Sequence, residues 1–151
     1  MFLIDEFFER HPELLGDLPC ETADQIIYVS TAEEPTTESV NCSVRSVLEA
    51  QRKRIGAVVG IGGGITLDTA KAVSNLIANG GRAEEYQGWA LVKVPGIFKI
   101  GVPTISGTGA EATRTCVMTN RKTGLKLGMN SDYTVFDQLI LDPDLTASVP
   151  P

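Results

Sequence analysis

Apolar positions along the chain fall into two periods. Met1-Phe-Leu-Ile4 ahead of Asp5, Ile26-Ile-Tyr-Val-Ser30, Ala57-Val-Val-Gly-Ile61 and Ile97-Phe-Lys-Ile-Gly-Val102 are short runs with the length and β-branched content of strands. Leu67, Ala70, Val73, Leu76 and Ile77 instead recur at helical spacing, and Asn79-Gly80-Gly81 ends that helix. Glu33-Glu-Pro-Thr36 opens another helix, running from about Thr37 to Arg54. Gly81 to Pro95 is a long connection carrying Tyr86 and Trp89. Past it, Thr115 to Asn120 and Leu125 to Asn130 flank the turn Arg121-Lys-Thr-Gly124, which predicts a β-hairpin, and Thr134 to Leu141 reads as a last strand before Asp142-Pro143. Strands alternating with helices predict an α/β domain: a parallel sheet with right-handed crossovers, covered by helices on both faces, followed by a small β region.

At 151 residues and 42% hydrophobic content the chain can bury a core as one domain. A formal charge of -6 argues against a nucleic-acid or anionic-membrane partner, which would require clustered Lys and Arg. The basic cluster Arg52-Lys-Arg54 ends a helical pattern and reads as a solvated cap. No apolar run approaches the roughly 20 residues that span a bilayer, and no charged-then-apolar leader opens the chain. The three cysteines, Cys20, Cys42 and Cys116, are widely spaced and odd in number, which fits reduced thiols in a cytoplasm rather than a disulfide framework. Cys116 reads as a small core residue, and His11, beside Pro12 and outside every motif, as a surface residue.

Candidate chemistry concentrates in two glycine segments that each follow a strand. Gly60-Ile-Gly-Gly-Gly-Ile-Thr-Leu-Asp68-Thr-Ala-Lys71 joins a glycine turn to a helix N-terminus, where unpaired N–H groups and the helix dipole favour a pyrophosphate. A tight turn with no ligand is the competing reading. The dinucleotide fingerprint G-x-G-x-x-G is not met, because Ile65 stands at its last glycine, and the phosphate-loop pattern G-x-x-x-x-G-K-[ST] is absent. The motif alone therefore leaves the ligand open. The second segment, Pro103-Thr-Ile-Ser-Gly-Thr-Gly-Ala-Glu111, and Asp5 also fall at carboxyl ends of strands, where such sheets bind ligands. Lys71, three residues after Asp68 on one helix face, reads as an ion-pair partner rather than a chemical group.

These two segments and Leu141-Asp-Pro-Asp-Leu145 resemble, in order and spacing, the iron-containing (group III) alcohol dehydrogenase family. Tyr86-Gln-Gly-Trp89, Pro103 to Ala112 and Met129 to Gln138 are most similar to its 3-deoxy-D-manno-octulosonate 8-oxidase branch, which acts on an acidic sugar of lipopolysaccharide biosynthesis. The resemblance implies a Rossmann-like sheet with flanking helices, NAD as cofactor and a primary alcohol of a sugar acid as substrate. It also implies that residues 1–151 form part of an N-terminal dinucleotide-binding domain. Family members are more than twice as long, and their divalent metal, Fe²⁺ or similar, is held by one Asp and three His beyond the position of Pro151. Met1 to Asp5 reads accordingly as the interior of a first strand, and Val149-Pro-Pro151 resembles the hinge between the family's two domains. A homodimer is an assembly the resemblance allows. A generic alcohol dehydrogenase on small alcohols and a non-catalytic nucleotide-binding module are the alternatives.

Carried over residue by residue, Asp5 takes the adenosine ribose hydroxyls, with helix N-capping as its structural alternative. Gly62, Gly63 and Gly64 take the pyrophosphate through backbone N–H groups, and Asp68 points toward the nicotinamide end. Thr104 and Thr108 reach the adenine side and the phosphates, unless they only hold their turn. Val117 supplies a backbone contact and Lys126 lies over a cofactor ribose, where an isolated hairpin lysine would otherwise be solvent-exposed. No catalytic residue is assigned. Two positions depart from the family pattern: Ile65 replaces a serine, removing a donor, and Glu34-Pro35-Thr36 replaces Asn-Pro-Thr, setting a carboxylate where the family has an amide.

Overall fold

The computed structural model describes residues 1–16, 18–50, 55–147 and 149, so the Arg52 to Arg54 cluster and the last two prolines lie outside the described residues. The elements are β1 (Phe2–Asp5), α1 (Phe7–Arg10), β2 (Ile26–Val29), α2 (Thr37–Ala50), β3 (Ala57–Gly62), α3 (Gly64–Asn79), β4 (Gly88–Trp89), β5 (Phe98–Pro103), β6 (Thr115–Asn120), β7 (Leu125–Asn130) and β8 (Gln138–Leu139), with short 3-10 turns between. Five strands form one parallel sheet in the order β2-β1-β3-β5-β8, and β4, β7 and β6 form a second, smaller sheet. The α/β class expected from the alternation of periods is the class observed.

Register brings the expected ligand positions together. Gly62 pairs with Pro103, the last residues of β3 and β5, and the Thr104 N–H donates to the Gly62 carbonyl at 3.1 Å. Asp5 closes β1, the neighbouring strand on the other side. Alternation along β1 sends Leu3 into a core with Val40, Val58, Leu67, Val73 and Leu76, while Phe2 and Ile4 join Phe8, Ile61 and Val102 on the opposite face. Each such aliphatic side chain contributes about 1.5–3 kcal/mol on full burial. Gly60 lets α3 sit close to the sheet, since a Cβ there would lie 2.7 Å from the Ala70 Cβ.

The sheet is covered on both faces as expected, by the long helices α2 and α3 on the first and by α1, a 3-10 turn at Pro12–Leu15 and the late turn carrying Leu145 on the second. One expectation needs correcting. The strand expected over Thr134 to Leu141 is only Gln138–Leu139. Thr134 sits in a 3-10 turn, buried, where its hydroxyl accepts from the Asn75 side chain at 3.1 Å, and Phe136 turns into the core over Gly101. Thr134 and Phe136 are core anchors, and the run then meets β5 through the Gln138–Leu139 pairing and through the Asp137 and Ile140 N–H groups, which donate to the Lys99 and Gly101 carbonyls at 2.9 Å. The hairpin fares better: β6 and β7 pair antiparallel across Arg121 to Gly124, with the Gly124 N–H donating to the Asn120 carbonyl at 2.8 Å. Among the described residues no helix is long and apolar enough to cross a membrane.

Candidate functional site

Gly63 is the N-cap of α3 and offers no side-chain cap, so the first N–H groups of a 16-residue helix open at the carboxyl edge of the sheet. The glycines are fixed by their neighbours. A Cβ on Gly62 would lie 2.7 Å from Thr66 and 3.0 Å from the Asp5 Cβ; one on Gly63, 3.1 Å from Ile105; one on Gly64, 3.3 Å from Thr108. The second glycine segment therefore packs directly against the first. Thr108 also accepts the Ala110 N–H at 3.3 Å, so its hydroxyl does hold the turn.

Asp5 is buried, and its Oδ1 accepts the Phe7 N–H at 3.0 Å. The capping alternative is thus realised at one oxygen, leaving the other without a protein donor among the described residues. Asp5 and buried Thr104 line one cavity of about 370 Å³ with Phe7, Phe8, Ile105 and Leu145. A second cavity of about 360 Å³ is lined by Ile65 and Thr69 of α3 together with Glu33, Glu34, Pro35 and Arg121.

Asp68 and Lys71 face β6. The Asp68 Oδ2 accepts the Val117 N–H at 2.9 Å, and its Oδ1 lies 3.6 Å from the Lys71 Nζ. Lys71 is fully buried and donates to the Thr113 carbonyl at 3.0 Å, the Thr113 hydroxyl at 3.2 Å and the Thr115 carbonyl at 2.9 Å. Burial outweighs their mutual attraction on both partners: it pushes the Asp68 carboxyl above and the Lys71 ammonium below their ordinary values. The expected ion pair is present. The Val117 N–H is taken by Asp68, which leaves its carbonyl, on the same outer edge of β6, for the expected backbone contact.

Lys126 is not an isolated lysine. Its Nζ pairs with Glu34, and Arg121 pairs with Glu33, so the segment before α2 is tied to the hairpin by two ion pairs and by the Thr119 N–H on the Pro35 carbonyl at 2.8 Å. The carboxylate expected to face a cofactor is thereby neutralised.

Residues missed in the sequence are Thr66 and Glu111. The Thr66 hydroxyl, buried in the first turn of α3 beside Gly62, has no hydrogen-bond partner among the described residues, and neither has one buried carboxylate oxygen of Glu111. A threonine two residues after a glycine turn gives a signal for the first; the second shows only in three dimensions. Cys116 is buried, and burial raises its thiol well above the ordinary range, as a core residue requires; Cys20 and Cys42 are exposed. His11 is half-exposed, stacked on Phe7 and beside Glu13. Among the described residues no group of three or more His, Cys, Asp or Glu could hold a metal ion.

An all-parallel sheet with a glycine-lined helix N-terminus and an acid at the carboxyl end of the adjacent strand defines an α/β protein of the nucleotide-binding type. The chain belongs to the iron-containing alcohol dehydrogenase family, whose model matches residues 5–143. It is 39% identical over 126 residues to a sulfoacetaldehyde reductase of Bilophila wadsworthia (strain 3_1_6), covering 83% of this chain and 32% of that protein. It is 33% identical over 152 residues to a 1-propanol dehydrogenase of Citrobacter freundii, covering 99% of this chain and 37% of that one. In structure it is similar to a sulfoacetaldehyde reductase from Bifidobacterium kashiwanohense solved in complex with NAD+, with a TM-score of 0.81 at 27% identity, over 99% of this chain and 40% of that chain. The chain thus spans about a third of the length of the curated relatives it matches.

Proposed function

We propose that the chain is the NAD-binding part of a metal-dependent oxidoreductase that oxidises a primary alcohol. The observation that carries this reading is the convergence of Asp5, Gly62 to Gly64 and Thr104 on three adjacent strand ends beside one cavity. The residues fit a dinucleotide. The uncapped first turn of α3 and the orphan Thr66 hydroxyl suit a pyrophosphate, and Asp5 keeps one oxygen for ribose hydroxyls. Thr108 stands over Gly64 at the same turn, while Asp68 and Val117 meet at the β6 edge and Lys126, on β7, reaches Glu34; this is the side proposed for the nicotinamide. The described residues do not fit a metal, and its ligands belong to the C-terminal helical domain proposed for the full-length protein. Bound there, the ion would supply Lewis-acid stabilisation of an alkoxide.

For the substrate, the resemblance of Tyr86 to Trp89, Pro103 to Ala112 and Met129 to Gln138 supports 3-deoxy-D-manno-octulosonate. A small alcohol or aldehyde is the second reading, favoured by relatives named for sulfoacetaldehyde and 1-propanol. Calorimetric titration of NAD and NADP into the chain tests the cofactor. NAD should bind more tightly, and Asp5→Ala should erase the difference; equal affinities before substitution refute the role of Asp5. NADH absorbance with a panel of alcohols and the sugar acid, with Fe²⁺, Mn²⁺ or Zn²⁺ added, then tests the assignment of the metal. Metal-dependent turnover by residues 1–151 alone would overturn it.

A further inference from the structure

The segment Leu141-Asp-Pro-Asp-Leu145 has no role in the reading above, yet it completes the cavity that holds Asp5. Leu145 packs with the second core face, and the 3-10 turn Pro143–Thr146 is pinned by the Asp142 side chain, which accepts the Asp144 N–H at 3.0 Å. That turn sets Asp144 on the wall of the cavity of about 370 Å³, opposite in sequence and shared in space with Asp5. Among the described residues the Asp144 carboxylate takes no hydrogen bond and no ion pair. The described lining of this cavity contains no lysine, arginine or histidine, and Phe7, Phe8, Ile105 and Leu145 make it largely apolar. Asp5 is buried and Asp144 is exposed, so the pair acts partly through solvent; with no cation on the described lining, the two carboxylates still disfavour an added 2′-phosphate relative to ribose hydroxyls.

We propose that Asp144 is a specificity-determining residue, a second carboxylate that excludes a 2′-phosphorylated adenosine from the cavity and so selects NAD over NADP together with Asp5. This rests on the dinucleotide reading above. It goes beyond it by moving part of the selectivity off β1 and onto a turn about 140 residues away in the chain. The same geometry leaves ribose hydroxyls welcome, since a carboxylate accepts from them, and penalises only added negative charge.

The test is calorimetric titration of NAD and NADP into the wild type, Asp144→Asn, Asp5→Asn and, as a control for overall charge, Asp132→Asn. Asp132 is 84% exposed and lies outside the cavity. The NADP-to-NAD affinity ratio should rise roughly five- to tenfold in Asp144→Asn, the factor that about 1–1.4 kcal/mol represents. It should rise further in the double variant with Asp5→Asn, and stay put in Asp132→Asn. Added salt should shrink the wild-type preference, because the cavity opens to solvent. An unchanged ratio in Asp144→Asn, with NAD still binding the wild type, overturns this inference and leaves the dinucleotide reading standing. An equal rise in Asp132→Asn overturns it too, since net charge would then explain the effect. Failure of the wild type to bind either dinucleotide removes both.

Discussion

Replacing Lys71 by Met tests whether the second glycine segment and β6 are held in place from α3. Lys71 is fully buried, and its ammonium is the donor for two backbone carbonyls and one hydroxyl of residues 113 and 115. Met keeps an unbranched stem of similar volume, so the cavity term is small and the loss is polar. The two carbonyls that lose their donor are only partly buried and can be hydrated in part, so each costs at most about 1 kcal/mol, while breaking a buried ion pair from one side costs about 3–5 kcal/mol in all. The Asp68 side chain keeps 17% of its surface exposed and can be hydrated, which places the sum at the low end, about 3 kcal/mol. For a chain of 151 residues that is a fall in Tm of roughly 6–12 °C. The assay is thermal and urea unfolding of the wild type, Lys71→Met, Asp68→Asn and the double variant. Asparagine retains an acceptor for Val117, so the cycle isolates the charge, and a favourable coupling of about 1–2 kcal/mol is expected. A drop below about 1 kcal/mol in the single variant, or additive effects in the double, would refute the clamp.

Gly62→Ala should destabilise the fold by about 1–3 kcal/mol, because its Cβ would sit 2.7 Å from Thr66 and 3.0 Å from Asp5, whereas Gly56→Ala, which meets nothing within 4 Å, should stay within about 0.5 kcal/mol in the same urea titration. For Glu84, burial alone would raise the carboxyl, but hydrogen bonds from Arg82, its own backbone and Asn41 outweigh it and hold the group at about 2. A depressed carboxyl contributes stability that is complete above its unfolded value of 4.5 and lost as pH falls toward about 2. Glu84→Gln should therefore flatten the decline in Tm between those limits, and an unchanged decline would remove Glu84 as its source.

Local signals carried the parts of the fold that are local. The glycine turn, its helix and the Gly80 stop were readable because each is decided within a few residues: Gly80 has φ of 72° and its N–H returns to the Leu76 carbonyl at 2.8 Å. The hairpin was readable for the same reason, its four turn residues lying between two alternating runs. Thr134 to Leu141 misled because its apolar pattern serves two partners far off in sequence, Asn75 and β5, the latter met by Phe136 over Gly101 as well as by strand pairing. At the candidate site the residue types were legible and their partners were not. The spacing of Asp68 and Lys71 announces a pair, but their backbone partners in β6 lie 44 and 49 residues away. Asp5 likewise could be placed at a strand end with Phe7 and Phe8 beside it, while Ile105, Asp144 and Leu145, which complete the cavity, come from about 100 and 140 residues away.

Those partners also explain the departure at Glu34. An open edge on β6 would be a template for pairing with another chain, and α3 and the segment before α2 close it with side chains and one carbonyl rather than a strand. Lys71 takes the Thr115 carbonyl, Asp68 the Val117 N–H and Pro35 the Thr119 N–H. Once Pro35 lies on that edge, residues 33 and 34 stand over the hairpin, where Arg121 and Lys126 would otherwise be two cations side by side. An amide at position 34 could accept one hydrogen bond but leave the charge; a carboxylate neutralises it. Glu34 is therefore better understood as a constraint on the hairpin than as a failed cofactor ligand.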